Sequence, residues 1–511
     1  MLPDVHQRKT HCRWRRLTGI CRTTIAVPLL LLITVSLTAY ALLDLSDPSA
    51  SLDMVSQPIL DIHTEPDTST HGIQFQGQEK KNTTMATTKY LFRYKTLGGY
   101  FLQDDPGTSA KDFEFTKTNF GLISRAYDSD KTLPDGGKGM TDWQRFEHHL
   151  TKLNEEAAQK AKENNGSAAQ VITQYKLLFL GRHGNGYHNI AERYYGSEAW
   201  DCHYSLLDGD PDGIIVWSDA HLSKEGLRQA RDVNEFWKKQ MAEEKMSLPQ
   251  AYYVSPLDRA LETHKVSYDG LVSPFEPIVM ERLREGTGLH TCDRRSSLSY
   301  IRKHYPTYNT TRDRFLTEAD ELFEPKLREP DEKIEERLGK LLDQIMAEEK
   351  NERISLTSHS GAIGAMLHVL GHRQFSVATG AVIPVLVQVD KIAVPAAPAV
   401  PGETKRDPLS PRHGGKAEGG SHAAAANKAD NDNVSATTTG DSDSDLSSFP
   451  LRPDVDEIDD KSTWNPAPPC PPGLDLANVG FERKGMSIKD FVAGVENGTI
   501  QLEEVAFRSN P

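Results

Sequence analysis

Lys176-Leu177-Leu178-Phe179-Leu180, followed at once by Gly181-Arg182-His183-Gly184-Asn185-Gly186-Tyr187-His188-Asn189, is the stretch on which the reading of the fold turns. A short apolar run with a glycine-bearing turn behind it reads as a buried strand. Ala251-Tyr252-Tyr253-Val254-Ser255 is a second such run, and Pro277-Ile278-Val279-Met280 a weaker third. Ile354-Ser355-Leu356-Thr357-Ser358 is a fourth, with an Ala- and Leu-bearing helix behind it to Leu370, and Val385-Leu386-Val387-Gln388-Val389 is a fifth. Helical stretches fall between them, notably Lys224 to Lys239 and Glu332 to Glu349. Strands alternating with helices predict an α/β fold with a mostly parallel sheet flanked by helices.

The same positions carry the chemistry. Arg182-His183-Gly184 follows the first strand, Arg259 the second, Glu285 the weaker third, and His359-Ser360-Gly361 the fourth. Ligands of open α/β sheets bind beyond the carboxyl ends of the strands, so these residues fall where a site is expected. Each has a plainer reading. A lone histidine after a strand is usually structural, and a surface carboxylate is the default for Glu285, with Glu281 four residues earlier as its rival. Asn189 fits a helix cap as well as a pocket donor. His188 fits core packing and substrate contact equally. Cys292-Asp293-Arg294-Arg295, just past Glu285, reads either as a solvated turn or as a substrate contact.

The segment Leu178 to Asn189 resembles the signature of the histidine phosphatase superfamily, in its phosphoglycerate-mutase-like branch and fungal phosphomutase-like form. Ser255-Pro256-Leu257-Asp258-Arg259-Ala260-Leu261-Glu262-Thr263 is similar to that family's second motif, and Ser358-His359-Ser360-Gly361 to its third. The resemblance covers roughly 90–390. It implies a three-layer sheet-and-helix domain and a phosphoryl transfer through histidine. His183 is then the nucleophile that forms a phosphohistidine. Arg182 and Arg259 clamp the phosphate with planar, multi-donor side chains, Asn189 adds a neutral donor, and His359 steadies the transferring charge. Glu285 protonates the leaving oxygen and then activates water. The helix after His359 is expected to aim its positive end at the phosphate. The resemblance implies no metal and no cofactor. Ser360 stands where the acid-phosphatase and phytase branch has aspartate, which counts against that branch.

The expected activity is hydrolysis of a phosphate monoester of a small metabolite. The alternatives are a phosphomutase using the same histidine and a non-catalytic phosphate-binding adaptor. A net charge of −14 over 511 residues counts against nucleic acid as a partner.

Outside the catalytic segment the chain changes character. Thr23 to Leu43 is free of charge and long enough to span a bilayer. Arg8, Lys9, Arg13, Arg15, Arg16 and Arg22 precede it, and Asp44, Asp47 and Asp53 follow it. This asymmetry predicts a signal anchor with the catalytic domain luminal or extracellular, secreted if the segment is cleaved near Ala39-Tyr40-Ala41. Asn82, Asn165, Asn309, Asn433 and Asn497 begin glycosylation acceptors that agree with such exposure. The expected organisation is a basic tail at 1–22, a transmembrane helix at 23–43, a stalk at 44–88 and the catalytic domain at 89–390. A disordered insert at 391–455 and a C-terminal extension at 456–511 complete it. The aromatics between Tyr90 and Asp128 suggest an arm packed on the domain. Trp143, Phe146 and Leu150 share one face of a helix predicted over 141–165, and Met486 to Val495 reads as a short helix. The insert is rich in Ala, Pro, Gly, Ser and Asp and nearly free of aromatics, so it cannot bury enough surface to order itself. Of five cysteines, Cys202 and Cys292 could form one disulfide if the domain folds in an oxidising compartment, and the sequence leaves their state open.

Overall fold

The computed structural model describes residues 89–163, 171–394, 461–476, 479 and 485–502. The expected basic tail, membrane segment and stalk, and nearly all of the insert, lie outside them. Among the described residues no helix is long and apolar enough to cross a membrane.

The strand read from 176–180 is the middle of β2 (Val171–Arg182). Leu177, Leu178, Phe179 and Leu180 are fully buried, and strand alternation sends them to two different cores. Leu177 and Phe179 pack with Trp143, Phe146 and Leu150 of α1 (Asp142–Glu163) and with Phe236 and Trp237 of α4 (Lys224–Lys239). Leu178 and Leu180 pack with Leu338, Leu341 and Leu342 of α7 (Asp331–Glu348) and with Ile363 and Met366 of α8 (Ser360–Val369). The result is a mixed α/β architecture with a central sheet between helical layers.

The sheet has six strands in the order β1-β7-β2-β6-β3-β4. Those not yet given are β1 (Lys89–Thr96), β3 (Ala251–Val254), β4 (Ile278–Val279), β6 (Arg353–Ser358) and β7 (Val382–Val394). β2, β6, β3 and β4 are parallel. β7 runs against both of its neighbours, β2 and β1, so it is the strand that keeps the sheet from being wholly parallel.

Three expectations change. The aromatic arm is a strand: Tyr90 to Tyr94 belong to β1, which pairs antiparallel with β7 at the sheet edge. β7 runs to Val394, so the expected start of the insert at 391 falls inside the sheet. The cysteine pairing is also different. Cys202, at the end of α3 (Ser197–Cys202), is bonded to Cys470, and Cys292 is a buried free thiol. Cys202 and Cys470 are 268 residues apart, a pairing that no local pattern could have announced.

The C-terminal segment closes on the domain at several points. β8 (Asn465–Pro466) pairs with β5 (Leu327–Arg328). Phe491, Val492 and Val495 of α9 (Ile488–Glu496) enter a third core with Tyr194 of α2 (Tyr187–Tyr195), Trp200 and Trp217. Glu496 then ties Tyr187 Oη at 2.9 Å and Lys224 Nζ at 2.7 Å, the first residues of α2 and α4.

Candidate active site

Parallel register assembles the site. Arg182, the last residue of β2, stands opposite Ser358, the last of β6, so His183 and His359 leave adjacent strands at the same level. His183 N donates to Ser358 O at 3.0 Å, and the two imidazoles lie 5.0 Å apart between ring centroids. β3 ends one step further on, where Ser255 N donates to Thr357 O at 3.0 Å. Ser255 Oγ sits 2.7 Å from His359 Nε2. Arg259 lies in the first turn of α5 (Asp258–Ser267). Gly184 lets this loop meet α4: a Cβ there would fall 2.6 Å from Gly226 O.

His183 is buried, and its Nδ1 lies 2.7 Å from Gly184 O. A carbonyl only accepts, so Nδ1 carries the proton and Nε2 is left with its lone pair. Burial, then the charges of Arg259 and Arg182, push the basicity of this imidazole well below the ordinary histidine range. His359 and His188 are shifted the same way, by burial first and Arg259 second. His188 Nδ1, His359 Nδ1 and Arg259 Nε are buried without a hydrogen-bond partner. These orphaned polar atoms belong to residues close to the nucleophile, and a bound oxyanion would give them a partner.

The arginines are held from behind. Arg182 Nη1 donates to Val377 O at 3.0 Å. Arg259, 1 % exposed, donates to Cys292 O and, at 2.8 Å, to Asp293 Oδ1. Asp293 Oδ2 takes Arg328 Nη1 at 2.8 Å. Burial favours the neutral form of Asp293, but Arg328 and Arg259 outweigh it and bring its carboxyl down to about 2. The segment open to reading as a solvated turn is therefore structural: Asp293 and Arg295 are buried, and Arg294 pairs with Asp208 at 2.7 Å. Its clustered charges were visible in sequence, but not the guanidinium it positions.

Glu285 gives the clearest correction. Its Oε2 accepts from Gly361 N at 2.9 Å and Ser360 Oγ at 3.4 Å, and its Oε1 accepts from Ala362 N at 2.9 Å. The amide pole of α8, expected to face a phosphate, faces this carboxylate instead. Glu281, its sequence rival, is buried between Arg284 at 2.6 Å and Arg295 at 2.7 Å, a structural ion network.

Asn189 takes up the capping alternative, with Oδ1 accepting from Gly186 N at 3.0 Å. Its neighbour His188 has its ring 5.3 Å from that of His183, so the structure favours His188 as part of the pocket wall. One donor cluster escaped the sequence: His290, Cys292 and Asp293 have ligand atoms within 4.8 Å of one another. Both oxygens of Asp293 are already bonded to guanidiniums, so these residues fit a metal cation poorly.

Comparison with known proteins agrees with this geometry. The family model of the histidine phosphatase superfamily (branch 1) matches residues 211–380, a span that includes Arg259, Glu285 and His359 and begins after His183. A probable phosphoglycerate mutase of Arthroderma benhamiae is 48% identical over 301 residues, covering 58% of this chain and 84% of that one. Phosphomutase-like protein 3 of Candida albicans is 30% identical over 307 residues, covering 60% and 83%. A mycobacterial glucosyl-3-phosphoglycerate phosphatase structure aligns at 20% identity over 40% of this chain and 90% of that one, with a TM-score of 0.25. The chain belongs to the histidine phosphatase superfamily and is phosphoglycerate-mutase-like.

Proposed function

We propose that this protein hydrolyses a phosphate monoester of a small metabolite through a phosphohistidine on His183. The observation that carries the reading is the tautomer fixed by Gly184 O, which leaves Nε2 of a neutral, buried imidazole as the nucleophile beside two guanidiniums. Nε2 attacks phosphorus as the ester P–O bond breaks. Arg182, Arg259, His359 and the Nδ2 amide of Asn189 take the phosphoryl oxygens. Glu285 gives its proton to the departing alcohol oxygen. Its contact to Ser360 Oγ, 3.4 Å long, is the weak one that Oε2 can give up to face substrate. Water then attacks the phosphohistidine, Glu285 accepts the proton, and the P–N bond breaks to release phosphate and restore neutral His183.

The names of the relatives favour a second reading, a mutase that returns the phosphoryl group to another hydroxyl of the same substrate. Glu285 is only partly buried, which supports access of water and hence hydrolysis. Full-length protein assayed on p-nitrophenyl phosphate and a panel of phosphorylated metabolites, with His183→Ala alongside, tests both. Release of inorganic phosphate that disappears in the variant supports the hydrolase. Phosphate exchange between positions without release supports the mutase, and wild-type turnover by the variant excludes a phosphohistidine.

We also propose that the 23–43 segment directs the domain to the lumen or outside. The Cys202–Cys470 bond, which belongs to oxidising compartments, supports this. Protease digestion of intact microsomes should leave the domain uncut; degradation without detergent would place it in the cytosol.

A further inference from the structure

The tautomer of His183 depends on one carbonyl, and that carbonyl is held by a side chain outside the site. Gly184 O, which takes the Nδ1 proton, belongs to the peptide whose other end is Asn185 N. Asn185 N donates to Gln229 Oε1 at 2.7 Å. Gln229 lies in the second turn of α4. Its amide is oriented at both ends. A backbone N–H only donates, so Oε1 faces Asn185, and Nε2 donates to Thr379 Oγ1 at 3.2 Å. Gly380, the next residue, gives its N to His183 O at 2.9 Å. The contacts close a ring, from His183 through the Gly184–Asn185 peptide, Gln229, Thr379 and Gly380 back to His183.

The other contacts of this loop fix the peptides on either side. Thr263 Oγ1 accepts from Gly184 N at 2.9 Å, which holds the preceding peptide. Ser223 N donates to Asn185 O at 2.9 Å, which holds the following one. The Gly184–Asn185 peptide between them has its carbonyl on His183 and its N–H on Gln229, and the glycine at its head resists rotation less than any other residue would. Asn185 is buried. A buried N–H that loses its acceptor is costly, so without Gln229 the peptide would turn, and its carbonyl would leave Nδ1. Close packing keeps the glutamine in reach. A Cβ on Gly226 would stand 2.1 Å from Asn185 O, and one on Gly380 would stand 2.7 Å from Gln229 Cβ.

We infer that Gln229 is a positioning residue for the nucleophile: through the Gly184–Asn185 peptide it keeps the proton on Nδ1 of His183 and the lone pair on Nε2. The inference rests on the reading of His183 as nucleophile above and adds to it a residue that acts on the ring only through this peptide. The bond made by one ring nitrogen sets which nitrogen carries the proton. A neutral imidazole without such a bond favours the proton on Nε2, the form that cannot attack phosphorus. Loss of the relay therefore moves His183 toward an inert tautomer while the phosphate donors Arg182, Arg259 and His359 keep their own supports. The expected signature is a fall in kcat with KM nearly unchanged.

The test reads the ring directly, so it does not depend on turnover. Full-length protein labelled with 15N-histidine is examined by long-range 1H–15N correlation at pH 7.5, with His183→Ala to assign the His183 signals. The wild type should show a protonated Nδ1 and a bare Nε2. Gln229→Met, which keeps the chain length and loses the acceptor, should move His183 toward the Nε2–H form and lower kcat on p-nitrophenyl phosphate about tenfold, with KM changed less than about twofold. Gln229→Glu restores the acceptor and should restore the wild-type tautomer. If Gln229→Met does not fold, Thr379→Val, which removes only the far contact of Gln229, should shift the tautomer the same way by less. A wild-type tautomer in the variant that lacks the contact, or a shift that Gln229→Glu does not reverse, overturns the inference, as does a fall in kcat without a tautomer shift. Failure of the phosphohydrolase reading would show instead in the turnover assay, with the tautomer comparison still readable.

Discussion

Mild acid should unfold this protein, and phosphate should prevent it. His183, His188, His264 and His359 are 2 %, 8 %, 0 % and 0 % exposed. Burial is the first cause of low basicity in all four, reaching about 3 for His264, and Arg259 adds to it in the other three. An unfolded chain protonates these rings near pH ~6.5, whereas the folded chain does not. Below that value the unfolded state binds more protons, so stability falls as pH falls, from about 6.5 down to the depressed folded values. Each ring contributes about 1.4 kcal/mol per pH unit in that window, so these four together contribute up to about 5 kcal/mol per unit, and His290, brought to about 3 by burial, adds to the same slope. A typical domain has about 5–15 kcal/mol in total. Two contributions oppose this slope. Asp258 raises the basicity of exposed His221, whose stabilisation is therefore complete below the unfolded value and lost as pH rises. Burial raises the carboxyls of Asp219 and Glu281, with the same sign. A bound phosphate anion would favour protonated rings at His183, His188 and His359, so its protection should grow from pH 7.5 to pH 5.5. Urea unfolding at half-unit pH steps, with and without inorganic phosphate, measures both effects. An unfolding midpoint that does not move between those pH values would refute the linkage, and phosphate protection independent of pH would refute the placement of the three rings around the anion.

Two further perturbations test the parts that hold the site. Gly361→Ala places a Cβ 2.4 Å from Glu285 Oε1, so the carboxylate must withdraw from the α8 amides. A loss of about 1–2 kcal/mol in urea unfolding is expected, with alkyl phosphates losing turnover more than p-nitrophenyl phosphate, whose leaving group needs little protonation; equal losses on the two substrates would separate Glu285 from acid catalysis. Cys470→Ser should cost about 2–5 kcal/mol, and reductant should lower the melting temperature of the wild type to that of the variant. Insensitivity of the wild type to reductant would contradict the Cys202–Cys470 pairing.

What was legible in the sequence was what each segment decides for itself. β2, β3, β6 and β7 were readable because their apolar runs are long enough to be buried on both faces, and α4 spans the predicted Lys224–Lys239. Arg182, His183, Arg259 and His359 were readable because each stands at or past the end of an apolar strand run, and parallel register does the rest. Contacts between distant segments were not readable. β1 carries aromatics that suit any packed surface, and only its pairing with β7 makes it a strand. Asp293 looked like one charge among several until Arg259 and Arg328 closed on it from opposite sides.

Glu285 shows why this boundary matters for mechanism. Sequence places a carboxylate after a weak strand and a helix after His359, and the natural inference sends the helix pole to the phosphate. In the folded chain β4 and β6 are separated by β3, and the turn after β4 reaches back so that Ser358 Oγ donates to Leu283 O at 2.8 Å. That contact delivers Glu285 to the start of α8. The carboxylate occupies the helix pole, so the amides that could have bound phosphate directly instead fix the group assigned to proton transfer in the proposed mechanism. On the proposed mechanism, the electrostatics of α8 act on the proton-transferring group rather than on ground-state phosphate binding.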